Sequence, residues 1–296
     1  MDNTIDSWFA KRCSVAFPAI AGSLAVCAAR DDTRFGRIVR SALFAISLVM
    51  SMVAFAHTAS AVEVLEEIVE QKYILEPNAT LSISNTDGSI RVYGSDGPEI
   101  SIQAVKKAYT AERLKGIVVD VKATSNSVAI NTTFPPRKNA VSDRSGTVDY
   151  ILIVPQTTRI TRLDLTNGEV LVEGLRGGSA TAHLINGWLA GHNCFADLAL
   201  TVGTGRLDVG YDWWENHKFS VKASSTRGTI RAFLPSDSSV MLNASAPTGR
   251  IANGFDPQKT TAADVVHSVN TAIGPNAEAV IDLKAADGNI RIDKSY

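Results

Sequence analysis

From residue 62 onward, apolar and polar positions alternate with a period of two. Leu81/Ile83, Ile90/Val92, Ile100/Ile102, Ile117/Val119/Val121 and Val128/Ile130 mark short runs rich in β-branched residues and bounded by Gly, Asn, Asp and Pro. This pattern predicts strands with one buried face. One short helical turn is predicted, over Ala108 to Leu114. The strand Val148 to Val154 is apolar at nearly every position and is expected to be buried on both faces. The fold class read from the pattern is all-β.

A second regularity is written around glycine. It is carried by Gly88, Gly168, Gly187, Gly205, Gly228, Gly249 and Gly288, each followed two residues later by Ile, Val or Leu. From Gly168 to Gly249 the steps are 19, 18, 23 and 21 residues. A period near 20 belongs to solenoid-like repeats, in which one unit cannot bury its own apolar face and stacks on the next. Asn-Gly and Asp-Gly supply the positive φ of a tight turn between antiparallel strands. Each unit is therefore expected to be a β-hairpin of about 20 residues, stacked on its neighbour. The rungs read as Arg159 to Leu175, Ser179 to His192, Leu198 to Tyr211, Phe219 to Leu234 and Val240 to Ile251. The last unit, Ala279 to Ile292, follows a polar stretch from Asn253 to Val269 read as an inserted loop, and Thr133 to Gly146 also reads as a loop. The last strand, Asn289 to Asp293, is expected to be a free edge, either guarded by its alternating charges or, failing that, pairing with another copy.

The N-terminal segment has a different character. Ser41 to Ala56 is apolar, is preceded by Arg37 and Arg40, and is followed by the small residues Ala59 and Ala61. This reads as a secretory signal peptide cut after Ala61. Sixteen residues is short for a membrane span, which needs roughly 20. The division expected is 1–61 as N-terminal extension and signal peptide, 62–146 as an N-terminal β region, and 147–296 as the glycine-turn repeat. The last two are read as one continuous domain. The implied location is periplasm, cell envelope or the medium, with membrane attachment only where the segment is uncleaved.

The turn pattern, the strand-to-proline entry VDYILIVP, the junction GLRGG and the closing VIDLKAADGNIRI together resemble the bacterial putative-adhesin family with the "toast-rack" architecture. The resemblance covers about residues 75–296. It implies hairpins stacked like slices in a rack behind a signal peptide or anchor, and a role in adhesion. It carries no catalytic residue over to this chain. The sequence departs from the pattern at Trp188, a bulky residue after the turn glycine, and at the insertion over 253–276.

Charge and chemistry narrow the function further. The 29 Lys and Arg nearly cancel the 30 Asp and Glu, leaving a net charge of −1. No global field favours nucleic acid or an acidic membrane. Three cysteines make no disulfide scaffold, and Cys194 alone follows the leader. There is no phosphate loop, G-x-S-x-G elbow or HExxH pair. His183, His192 and Cys194 lie close in sequence but lack a fourth ligand at a zinc spacing, so no metal and no cofactor is expected. Asp164, Asp208 and Asp282 are read as solvated outward-facing carboxylates that could align as a column across rungs.

Two groups remain as candidate ligand contacts. Trp188, Tyr211, Trp213 and Trp214 form the densest aromatic group, and Trp213 and Trp214 would face opposite ways on a strand. Arg206 and Arg231 are candidate contacts to an acidic glycan. Arg91, Arg231 and Arg291 share the slot three after the glycine, and Asp208 occupies the same slot. The function expected is non-catalytic: an exported, adhesin-like envelope protein whose partner is a surface ligand, either a glycan or another envelope protein. The alternatives are a sensor of envelope stress and a carbohydrate-active enzyme on the same scaffold.

Overall fold

The computed structural model describes residues 63–136, 146–256 and 266–295. The leader with Ala59 and Ala61 lies outside them, as do most of the loop over 133–146 and the middle of the 253–269 stretch. Among the described residues no helix is long and apolar enough to cross a membrane.

The fold is all-β. The strands are β1 (Leu65–Ile74), β2 (Thr80–Ser95), β3 (Glu99–Ala108), β4 (Val118–Ala123), β5 (Ser127–Thr133), β6 (Thr147–Pro155), β7 (Arg159–Glu173), β8 (Arg176–His192), β9 (Phe195–Gly210), β10 (Ser220–Pro235), β11 (Val240–Ser245), β12 (Ile251–Asn253), β13 (Ser268–Ile273), β14 (Ala279–Asp287) and β15 (Ile290–Ser295). The predicted helical turn is α1 (Ala111–Gly116), where the Thr110 side chain caps the first turn by accepting from the Arg113 amide at 3.2 Å.

The glycine units are not hairpins. β7, β8, β9 and β10 are each one long strand running through its glycine, and each pairs in parallel with the next. Gly88, Gly168, Gly187, Gly205 and Gly228 are paired in register along the stack. What the glycine changes is the phase of the strand. In β7 the buried side chains are Ile160, Leu163 and Leu165 before it, then Val170 and Val172 after it. In β10 they are Val221, Ala223 and Ser225, then Ile230, Ala232 and Leu234. An uninterrupted strand would keep one parity and turn the second set to solvent. The glycine corner slips the alternation by one residue, so both arms of the rung bury their aliphatics against a shared core.

Glycine is needed at the corner for two reasons. Gly187 and Gly205 have φ of +135° and +141°, and a Cβ on either would strike the carbonyl oxygen of the glycine one rung before. The asparagines beside them also have a role other than the expected one. Asn186 Nδ2 donates to Asn167 Oδ1 at 3.0 Å, and Asn167 Nδ2 to Asp87 Oδ1 at 2.8 Å. These bonds make a side-chain ladder along the corner, where the sequence had implied a primed hairpin turn.

The C-terminal rung is not an edge. β14 and β15 lie between β10 on one side and β11 and β12 on the other, parallel to both. The chain adds β11 and β12 first and then threads the last rung into the gap. At the opposite end the first arm of β2 carries β5 and β4, while its second arm carries β6, β3 and β1. β6 joins β2 in parallel to β3 in antiparallel. It is buried on one face only, because Ile151 and Ile153 stand 36% and 44% exposed on the outside.

Candidate functional site

The second arms of the rungs form a layer whose outer face gathers Trp188, Arg206, Asp208, Arg231 and Arg291. Counting from each glycine, the first outward position holds Glu169, Trp188, Arg206 and Thr229 on successive rungs. The second outward position, three after the glycine, holds Leu171, Ala190, Asp208, Arg231 and Arg291. The shared slot of Arg231, Arg291 and Asp208 read from the sequence is thus a physical column.

Asp208 departs from expectation. It was read as a solvated carboxylate, yet it is only 7% exposed. Trp188 Nε1 crosses one rung to donate to Asp208 Oδ2 at 2.8 Å, and Arg206 Nε donates to Oδ1 at 2.7 Å while its Nη2 pairs with Oδ2. The Trp188 indole and Arg206 guanidinium cover the carboxylate and satisfy both oxygens. A buried charge is tolerable only when paired in this way. The three carboxylates do not align as a column. Asp208 lies on second arms, whereas Asp164 and Asp282 sit on first arms in different columns, Asp164 beside His183 and Asp282 beside Asn243.

With Asp208 committed to Trp188 and Arg206, Arg231 is left over. It lies beside Asp208 on one side and Arg291 on the other. Arg291 is matched by Asp293, to which its Nε donates at 2.7 Å. Arg231 Nε is buried and has no hydrogen-bond partner. Like charges directly opposite across a ladder repel, so this place on the outer face carries uncompensated positive charge next to the Asp208 cluster.

The remaining aromatics are elsewhere, so the four-residue group expected from the sequence divides. Tyr211, Trp213 and Trp214 lie in a loop between β9 and β10, and the opposite-face argument for the two tryptophans does not apply. They pack with Phe195 and Phe219: Tyr211 is 5.2 Å from Phe195, Trp214 is 5.4 Å from Tyr211, and Trp213 is 5.9 Å from Phe195, centroid to centroid. Tyr211 is buried and donates its hydroxyl to the Cys194 carbonyl at 2.9 Å. Arg176 lies over the Phe195 ring and pairs with Glu215 at 2.6 Å. Burial opposes ionisation of Glu215, but the hydrogen bonds from Arg176 and Trp213 hold its carboxyl below the usual range. This loop closes the open side of the stacked rungs, a covering use of large apolar area.

The histidine and cysteine candidates do not converge. His183 is exposed on a first arm. Cys194 is buried, its thiol donates to the Val172 carbonyl, and burial pushes its pKa up to about 12. His192 instead bridges three rungs, with Nδ1 3.1 Å from Glu173 and Nε2 3.3 Å from Asp212. The Glu173 hydrogen bond, with the Asp212 charge adding to it, holds the imidazole above its ordinary 6.5 against the opposing effect of burial. Asn193 and Asp212 fix this arrangement by exchanging two hydrogen bonds, of 2.9 and 2.8 Å. Sequence spacing places His192 near His183 and Cys194 without a zinc spacing. Its carboxylate partners come from neighbouring rungs and were not legible.

A groove of about 460 Å³ lies further along the same outer face, lined by Arg91, Lys107, Asp149, Ile151 and Glu169 among others. Its charges are matched internally, with Lys107 3.2 Å from Asp149 and Arg91 3.8 Å from Glu169. Among the described residues no group of three or more His, Cys, Asp or Glu is placed to hold a metal ion.

No protein-family model matches the chain, and no curated protein matches it. Among solved structures the chain is similar to a putative cell adhesion protein from Clostridium sporogenes, at 14% identity and a TM-score of 0.44, over 77% of this chain and 100% of that one. It is also similar to a putative adhesin from Bacteroides fragilis, at 9% identity and a TM-score of 0.24, over 77% and 97% of the two chains. A putative lipid binding protein from Parabacteroides distasonis matches at 8% identity and a TM-score of 0.25, over 78% and 97%. At such identities and scores the likenesses carry no argument about chemistry.

Proposed function

We propose that this chain is an exported, adhesin-like binding protein of the cell envelope that acts without catalysis. Its rigid stack of rungs would hold side chains of neighbouring rungs in fixed register and present them to a surface ligand. The toast-rack arrangement belongs to the same reading, with bent parallel rungs in place of hairpins. The ligand class we favour is a saccharide bearing carboxylate or sulfate groups. The observation that carries this is the Arg231 guanidinium, whose Nε has no partner and which lies beside the Trp188–Asp208 pair. An anionic group over the half-buried Arg231 side chain would balance its charge and relieve the repulsion from Arg291, while the half-buried Trp188 ring offers a face for a sugar. Asp208 bound to both Arg206 and Trp188 supports a positioning role, and speaks against its use as one of two free carboxylates in glycoside hydrolysis.

The test is retention of the purified protein on an immobilised polyuronate, compared with a neutral polysaccharide. The reading expects retention on the anionic matrix, lost in Arg206→Ala/Arg231→Ala. Equal retention of the double variant would overturn it. Export is tested separately by cell fractionation with intact mass, for which a chain beginning at Val62 outside the cytoplasm is expected.

A further inference from the structure

The sheet ends at β1, and that edge has a pattern of its own. Among the described residues β1 pairs with β3 alone. It extends one strand further from β2 than the opposite layer does, since that layer stops at β4. The Leu75 amide donates to the Pro98 carbonyl at 2.8 Å. Continuing this register along the ladder directs the backbone groups of Leu65, Glu67, Val69, Gln71 and Tyr73 towards β3. The amides and carbonyls of Glu66, Ile68, Glu70, Lys72 and Ile74 therefore face away from it. The large apolar residues here are left open, with Val64 45%, Ile68 59% and Ile74 76% exposed.

We propose that β1 is a homodimerisation strand, pairing antiparallel with β1 of a second copy about a twofold axis at Val69. Backbone parity, charge pairing and overlap along the whole strand select this register. Only the even-numbered residues offer backbone groups outward, so bonded pairs must join even to even. The two inner faces stay on one side of the joined sheet only under the same parity. Among registers of that parity, the one centred on Val69 sets Glu66 opposite the partner's Lys72, Ile68 opposite the partner's Glu70, and Val64 opposite the partner's Ile74. On the inner face it sets Leu65 opposite the partner's Tyr73. A shift by one residue about the axis in one direction sets Glu66 against the partner's Glu70, and in the other direction Glu70 against itself. Like charges opposite one another disfavour both, and a twofold at Gln71, though it sets Glu70 opposite the partner's Lys72, pairs only residues 68–74 because β1 ends at Ile74. A ten-residue edge is a small interface, so the association should be weak and dependent on concentration.

The experiment is light scattering of the full chain over a dilution series reaching roughly 100 μM, the range in which a weak interface is populated. The expected mass is that of a dimer, falling to the monomer on dilution. Ile68→Pro removes an amide that faces the free edge and leaves the β1–β3 bonds in place, so this variant should stay monomeric with an unchanged melting temperature. In parallel, Val69→Cys should form an oxidised dimer linked between the two copies of residue 69, whereas Gln71→Cys should not. A monomeric wild type at every concentration overturns the proposal. A dimer that persists in Ile68→Pro and is not linked through Val69→Cys overturns it as well. Should Ile68→Pro fail to fold, the contrast between the two cysteine variants decides.

Discussion

Gly187 and Gly205 stack so closely that a Cβ on Gly205 would run into the carbonyl oxygen of Gly187. The same approach recurs from Gly168 to Gly288, so one substitution disturbs two rungs at once. Gly205→Ala combines this clash with a backbone at positive φ, and should cost about 3 kcal/mol or more. Gly97→Ala is the control: Gly97 is exposed, has no atom within 4 Å of an added Cβ, and should stay within about 0.5 kcal/mol of the parent. Urea denaturation of both variants checks the difference.

The Trp188–Asp208 bond makes a second prediction. Trp188→Phe keeps the ring and removes the donor, whereas Asp208→Asn keeps the shape and removes the charge. A double-mutant cycle on unfolding free energy should give a coupling of about 1–2 kcal/mol, the range for a hydrogen bond to a shielded carboxylate. Additive effects would mean that the two side chains do not act together.

How much of this arrangement could be read from the sequence depends on which contacts are local. Alternation such as Leu81/Ile83 and the spacing of the glycines are short-range signals, and they carry the all-β class and, to within a few residues, the limits of β7 to β10, though not those of the rung read as Val240 to Ile251, which splits into β11 and β12. The direction of pairing was not legible. Asn-Gly is compatible both with a hairpin turn and with a corner that stacks on copies of itself, and only the bonds from Asn186 to Asn167 distinguish them. The insertion of β14 and β15 beside β10 depends on contacts between residues some 60 positions apart, which no local pattern records. At the candidate site the column of Asp208 and Arg231 followed from counting after each glycine. The burial of Asp208 did not, because it needs Trp188 from the previous rung to lie across it.

His192 gives a pH dependence with a definite sign. Its folded pKa is raised above 6.5 by Glu173 and Asp212, so its contribution to stability is full below the unfolded value and is lost as pH rises through the folded one. The stability advantage of wild type over His192→Gln should therefore be greatest at pH below about 6 and shrink through neutral pH. Thermal melts of the pair across this range check it, and an advantage that grows with pH contradicts it.

Tyr150 and Thr132 form a buried pair with hydroxyls 2.6 Å apart. Burial pushes the Tyr150 phenol up to about 12. Tyr150→Phe strands the Thr132 hydroxyl and should cost about 1–2 kcal/mol. Adding Thr132→Val removes the stranded group and should recover part of that loss, as read by chemical denaturation.

The most direct measurement is a titration of the ¹⁵N-labelled protein with an oligomer of uronic acid, following side-chain N–H resonances. The account predicts saturable shifts of Trp188 Nε1–H and Arg231 Nε–H, with Trp213 Nε1–H, held by Glu215 in the covering loop, left in place. Trp188 and Arg231 resonances that stay still throughout, or shifts confined to Trp213 and Trp214, would contradict it.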